Sequence, residues 1–181
     1  ASLEHLRLES DLRKALELDP RSLVFNIVAA SYLLDLGHRA EAQQRLDAML
    51  ALAPDAWPLL MLLGKLRLAE GRVDDGIAAL RRAAALGRDS SRPQAMLGVQ
   101  LAAVGRGEET LDLLAALEDR NRTRFVPPTA IAALHAALEQ VGPALDKLEQ
   151  AVAVRDARVV FLKDDPYWRT LRPEPRFAAL L

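Results

Sequence analysis

Residues 57–90 read WPLLMLLGKLRLAEGRVDDGIAALRRAAALGRDS. Two Leu- and Ala-rich stretches of helical character flank Gly71, and Pro58 sits near the start of the first, where an amide hydrogen would go unpaired anyway. A step of 34 residues in either direction returns the same pattern. One column reads Leu46, Leu80, Leu114, Leu148, and a second is always small: Ala30, Gly64, Gly98, Ala132. A third, Gly37, Gly71, Gly105, Glu139, holds glycine in three units of four, as a left-handed helix cap or tight turn requires. A fourth reads Ala42, Gly76, Thr110, Ala144 and a fifth Met49, Ala83, Leu117, Ala151. Agreement of all five with no insertion points to a helix–turn–helix unit that stacks into a solenoid.

Each unit then holds two antiparallel helices, A and B, whose small residues let the backbones approach. Units are expected to start near 23, 57, 91 and 125, with helices A over 23–36, 57–70, 91–104 and 128–139. Helices B are expected over 39–52, 73–86, 107–119 and 142–155. Asp55, Asp89 or Ser91, and Asn121 or Thr123 are candidate start signals. Residues 1–20 fit the frame as a half-repeat, a lone helix B with Leu12 in the leucine column and Pro20 34 residues ahead of Pro54. Its helix A would fall before Ala1, so the chain either opens on a capping half-repeat or is cut from a longer protein; the second reading is preferred. Four units fill 23–156, and 157–181 remain as a C-terminal cap.

Composition agrees with this. The 181 residues are 51% hydrophobic, too apolar for disorder, and only 4% aromatic. The net charge of −1 removes the simplest argument for nucleic-acid binding, no stretch is long and apolar enough to span a membrane, and the absence of cysteine excludes disulfides and thiol chemistry. Only Lys14, Lys65, Lys147 and Lys163 among the 24 basic residues are lysines, a skew that fits a GC-rich bacterial genome. No secretory leader is visible at Ala1, so the chain is either cytoplasmic or already trimmed, and a cytoplasmic location is the expectation.

The repeat columns resemble those of the tetratricopeptide repeat (TPR) family over roughly residues 1–156, with departures at Glu139, Arg88 and Arg122. The resemblance implies an all-α fold, a right-handed α-solenoid of TPR helix–turn–helix repeats closed by short C-terminal capping helices. The last part resembles an ending found after such repeats in bacterial multidomain proteins. It runs from Val126-Pro127-Pro128 through Leu148-Glu149-Gln150-Ala151 and Arg155-Asp156 to Phe161-Leu162-Lys163-Asp164-Asp165-Pro166 and Pro175-Arg176-Phe177. That likeness implies repeats set behind a winged-helix DNA-binding, cyclase-like or serine/threonine kinase domain. In the tail, the apolar run Val159-Val160-Phe161-Leu162 needs cover, and short helices are expected over 166–171 and 173–181. Tyr167, Trp168 and Phe177 are expected to seal the end of the solenoid; the sharper alternative makes Tyr167 or Trp168 a partner anchor.

Chemistry-bearing constellations are scarce. His5, His38 and His135 share no ligand spacing, no nucleophile elbow or phosphate loop occurs, and Asp74-Asp75 suits the positive end of a helix dipole. No catalytic residue, metal site or cofactor is therefore expected, and the chain is read as no enzyme. Arg81, Arg82, Arg88 and Arg92, and again Arg120, Arg122 and Arg124, crowd one repeat edge; a solvated face is the plainer account, and without aromatic platforms contact with nucleic acid is not expected.

In the family the inner surface is lined by helices A, which here carry Val24, Ile27, Ser31 and Leu34; Met61, Lys65 and Leu68; Arg92 and Val99; and Thr129. Ile27, Ser31 and Met61 stand where relatives that grip acidic tails carry Lys or Asn, so a carboxylate clamp is not expected. A mainly apolar groove suits an amphipathic helix or extended peptide, with Lys65 and Arg92 setting polarity. The groove could also be buried by neighbouring copies, by A-helix crowding or by the chain's own tail. The function expected is a non-enzymatic interaction module for a protein or peptide partner, or for its own kind, within a larger bacterial regulator. The alternative is an intramolecular sensor restraining an attached DNA-binding or kinase domain.

Overall fold

The computed structural model describes residues 3–181, with side chains from Ser10 onward, so the side chain of His5 lies outside the described residues. Among these residues there is no strand. The helices are α1 (Leu3–Leu18), α2 (Leu23–Asp35), α3 (Arg39–Leu52), α4 (Trp57–Ala69), α5 (Val73–Leu86), α6 (Ser91–Ala103), α7 (Gly107–Thr123), α8 (Pro128–Ala137), α9 (Val141–Ala153) and α10 (Pro175–Ala178). Two short 3₁₀ helices, Ala157–Phe161 and Pro166–Trp168, lie between α9 and α10. The chain forms two compact units, Ala1–Leu86 and Gly87–Leu181.

In the first unit α2 packs on α3 and α4 on α5, and α4 also meets α2 and α3. Ala30, Leu46, Met49, Leu59, Leu62 and Leu66 form its core. The small columns act where α4 meets α5: a Cβ on Gly64 would come within 2.7 Å of Leu80 Cγ, and one on Gly76 within 2.6 Å of Leu68 Cγ. No larger residue fits without moving a leucine of the facing helix.

In the second unit α6 pairs with α7 and α8 with α9, and α6 also contacts α8. Thr110 stands in the small column and is fully buried, but its hydroxyl donates to the Gly98 carbonyl across the pair at 2.9 Å. A polar side chain is thus tolerated at the tightest contact because its hydrogen bond is made inside the unit. The tail then folds against α8 and α9. Leu162, Trp168, Leu171 and Phe177 join Ala132, Ala133, Ala136, Ala144, Leu145 and Leu148 in one core. Arg176 fastens α10 to α9 through Glu149 (2.8 Å) and Asp146 (2.7 Å), and its guanidinium holds the Glu149 carboxyl below its ordinary range.

The turn column keeps its conformation even where it changes residue. Gly37, Gly71 and Gly105 have φ of 80°, 76° and 80°, and Glu139 adopts φ 58° at the same place. The left-handed turn is imposed by the helix pair, and Glu139 takes it at a steric cost that glycine avoids.

Several local expectations are corrected. α7 runs on to Thr123, which puts Arg120 and Arg122 on the helix, and the side chain of Asn121 accepts the Val126 amide to turn the chain into α8. Asp55 and Asp89 do not start helices; they pair with Arg82 and Arg124, each at 2.7 Å, while Ser90 caps α6. The expected tail helices shrink to Pro166–Trp168 and Pro175–Ala178. The apolar run is only partly covered: Leu162 is buried but Val160 and Phe161 are 72% and 52% exposed. A three-residue turn sends positions 159 and 162 to one side and leaves the two between them outside. The guanidinium of Arg158, 5.5 Å from the ring centroid, partly shields Phe161.

Candidate partner-binding site

The inner-face residues expected from sequence fall into three groups. On α2, Val24 is exposed, Ser31 is half-buried, and Ile27 and Leu34 are half-buried against the α2–α4 core. Lys65 on α4 reaches Asp35 on α2 at 2.5 Å, so these residues form one surface with an ion pair along it. α2 carries no charge before Asp35, which makes that surface apolar with a polar end.

Met61 and Leu68 behave differently. Met61 is 4% exposed and belongs to the core, so it offers no free surface. Leu68 is half-buried and lies over Gly76, filling the space that the glycine leaves. Both fall on the apolar side of α4, where Leu59 to Leu62 form an uninterrupted buried run.

In the second unit Val99 is half-buried against the tail core, and Thr129 is 2% exposed. Thr129 donates both its amide (3.1 Å) and its hydroxyl (2.6 Å) to Asp156 Oδ2. The other oxygen of Asp156 accepts the Arg158 amide at 3.0 Å and so caps the first 3₁₀ helix. Pro127, at the N-cap of α8, makes no side-chain cap. A buried carboxylate 27 residues onward therefore satisfies a free amide at the start of α8. The sequence names Asp156 only within the family-like ending and assigns it no role, although the 34-residue step through Pro20, Pro54, Arg88 and Arg122 lands on it.

Arg92 lies in the first turn of α6 near Arg158, Tyr167 and Asp165; partial burial lowers its pKa, and the like charge of Arg158 adds to the effect. Arg158 pairs with Asp165 at 3.1 Å. Burial pushes the Tyr167 phenol up to about 12, the Asp165 carboxylate adds to this, and the two arginines oppose it. With Trp168 3% exposed and Phe177 1%, the aromatics seal the end of the unit, and Trp168 presents no surface for a partner.

The remaining candidates are held structurally. His135 is 7% exposed, with Nδ1 2.7 Å from Gln140 Oε1 and Nε2 3.5 Å from Glu118. His38 is exposed at the N-cap of α3 beside Glu41. No group of His, Cys, Asp or Glu among the described residues could hold a metal ion. The arginine edge is laced with partners: Arg120 donates to the Arg88 carbonyl, and Arg122 lies 3.9 Å from Asp119. A cleft of about 510 Å³ opens between α1, α2 and α3, with Leu12, Leu16, Leu33 and Leu36 among its apolar lining and Arg13, Glu17, Glu41 and Arg45 among its charges. No helix among the described residues is long and apolar enough to cross a membrane.

Residues 33–99 match the tetratricopeptide repeat family model. Similar solved structures include a chain of the APC/C hetero-tetramer Cut9–Hcn1 (16% identity, TM-score 0.63), 98% of this chain aligning with 35% of that one. Pseudomonas aeruginosa pilF is 18% identical (TM-score 0.55, 98% of this chain and 81% of that one). YrrB, described as a TPR protein with an unusual peptide-binding site, is 16% identical (TM-score 0.51, 93% and 88%). The chain thus spans about a third of the Cut9–Hcn1 chain. No curated protein matches it. At these identities the structures speak for the fold alone, an α-solenoid of helical repeats, within which residues 33–99 are similar to the tetratricopeptide repeat.

Proposed function

We propose that the chain is a non-enzymatic interaction module that receives an amphipathic helix or extended peptide on the inner face of its first unit. Val24, Ile27, Ser31 and Leu34 form the floor, and Lys65 with Asp35 sets polarity. The fold is one whose members generally serve as protein-interaction scaffolds, and YrrB is described by its peptide-binding site. One observation carries the reading to this chain. In the second unit the inner positions Ala133 and Ala136 of α8 share a core with Leu162, Trp168 and Leu171 of the protein's own tail, and Thr129 is bonded to Asp156. The inner side of α8 is thus covered by an apolar chain segment, while Val24 at the inner side of α2 stays 66% exposed, which supports α2 as the face left for a partner. Four units from 23 to 156 after a half-repeat, with a cap over 157–181, remain our division of the chain.

We infer that the chain belongs to a larger bacterial, cytoplasmic regulator; the arginine-rich composition and the likeness of its ending support this. The second reading, a sensor acting on an attached winged-helix or kinase domain, rests on that same ending. The test is co-purification on the immobilised chain, compared with Leu34→Glu and Lys65→Glu. Loss of the captured partner with unchanged helicity is expected. Equal capture by all three removes the inner-face site, and a winged-helix or kinase sequence in the full open reading frame favours the sensor.

A further inference from the structure

The start of α6 carries a guanidinium that its surroundings leave unmatched. Arg92 and Val99 are two turns apart on α6 and so share one stripe of that helix. Val99 packs against the core that the tail forms with α8 and α9, and Tyr167 packs against the same core. Arg92 thereby comes to the side of the second unit where the tail lies, close enough to feel Arg158, Asp165 and the Tyr167 phenol. It stays exposed to solvent.

The carboxylates bonded to Arg158 are already committed. Asp165 accepts the Arg158 guanidinium on Oδ2 at 3.1 Å and the Tyr167 amide on Oδ1 at 3.0 Å. Asp156 is buried, its Oδ2 taken by the amide and hydroxyl of Thr129 and its Oδ1 by the Arg158 amide. Among the described residues the Arg92 guanidinium forms no ion pair or hydrogen bond, and the Tyr167 hydroxyl makes no hydrogen bond. Around Arg92, then, two arginines stand against one carboxylate. The phenol, its pKa pushed up to about 12 by burial, keeps its proton at neutral pH and can only gain by donating it to an acceptor.

We propose that Arg92, Arg158 and the Tyr167 hydroxyl bind a carboxylate of an acidic peptide. A carboxylate supplies the single negative charge that the cluster lacks, and its two oxygens match the planar fork of a guanidinium. A doubly charged phosphoryl group would leave negative charge in excess beside Asp165. Arg92 is the principal donor, since Arg158 already spends Nη2 on Asp165. The carboxylate belongs either to an aspartate or glutamate side chain or to a chain terminus. All the residues of the site lie in the second unit, so it does not rest on the inner face of α2.

Magnetic-resonance spectra of the arginine side chains, recorded on the whole chain, test this by titration with two acetylated tetrapeptides. Tetra-aspartate with an amidated end offers side-chain carboxylates, and tetra-asparagine with a free end offers a terminal one. Either should shift the Arg92 Nε–H signal saturably, with a Kd on the order of 1 mM for so small a probe, and the tighter of the two identifies the source. Tetra-asparagine amide should shift nothing. Arg92→Gln should weaken binding about tenfold and Tyr167→Phe about threefold at unchanged helicity, as loss of a charge-assisted and of a neutral hydrogen bond require. Lys65→Gln, on the first unit, should leave it unchanged. No shift at Arg92 with either acid up to about 10 mM overturns the proposal. So does an equal shift from tetra-asparagine amide, binding that survives Arg92→Gln, or binding that Lys65→Gln removes.

Discussion

Two A helices, α2 in the first unit and α8 in the second, meet opposite fates. On α2 the inner positions stay open or half-open, with Val24 66% exposed, whereas on α8 every residue from Pro128 to Ala136 is buried. The repeat frame is the same, and the side chains account for the difference. α8 offers Ala132, Ala133 and Ala136, small enough for the indole of Trp168 and for Leu162 and Leu171 to share their core. α2 offers Val, Ile, Leu and Phe, which leave less room for a covering segment and more apolar surface exposed. Residue size along one helix face thus separates a position that the chain's own tail covers from one that stays open.

The most damaging way to break that contrast is Trp168→Ala. The cavity left over α8 should cost about 3–5 kcal/mol in denaturant unfolding, while α2 and α4 keep their amide-exchange protection. Asp156→Ala comes next. It frees the amide and hydroxyl of Thr129 and uncaps the first 3₁₀ helix, for about 2–3 kcal/mol, with protection lost first at the start of α8. Gly64→Val carries the test to the first unit, where the added methyls press on Leu80; a loss of about 1–3 kcal/mol read from the melting temperature is expected. Glu139→Gly is the smallest effect and has the opposite sign. Relief at φ 58° should add about 0.5–1 kcal/mol, and a variant no more stable than wild type would show that the turn carries no strain there.

Much of the fold was legible from the 34-residue step because its signals are local. A close approach needs a small residue at Gly64 and Gly76, and a left-handed turn favours glycine at Gly37, Gly71 and Gly105. These demands recur wherever two helices of this length fold back on each other. The proposed inner face was legible only in part: Ile27 and Leu34 are half-buried and Lys65 reaches Asp35, but Met61 is buried within the run Leu59 to Leu62 of α4. Thr129 is removed from the surface by Asp156, a contact spanning 27 residues that no periodicity reports. Aspartates expected to start helices were taken instead by arginines 27 and 35 residues away, which a search for local caps does not see.

Asp156 has a further consequence for how the molecule comes apart. One carboxylate closes the beginning of α8 and the beginning of the tail, so neither can fray without releasing the other. Clipping the chain just before residue 156 would therefore remove more than a terminal lid, because the last helix pair would lose the anchor of its own first turn. Proteolysis should accordingly leave either an intact second unit or none, with no stable fragment ending between Arg155 and Trp168.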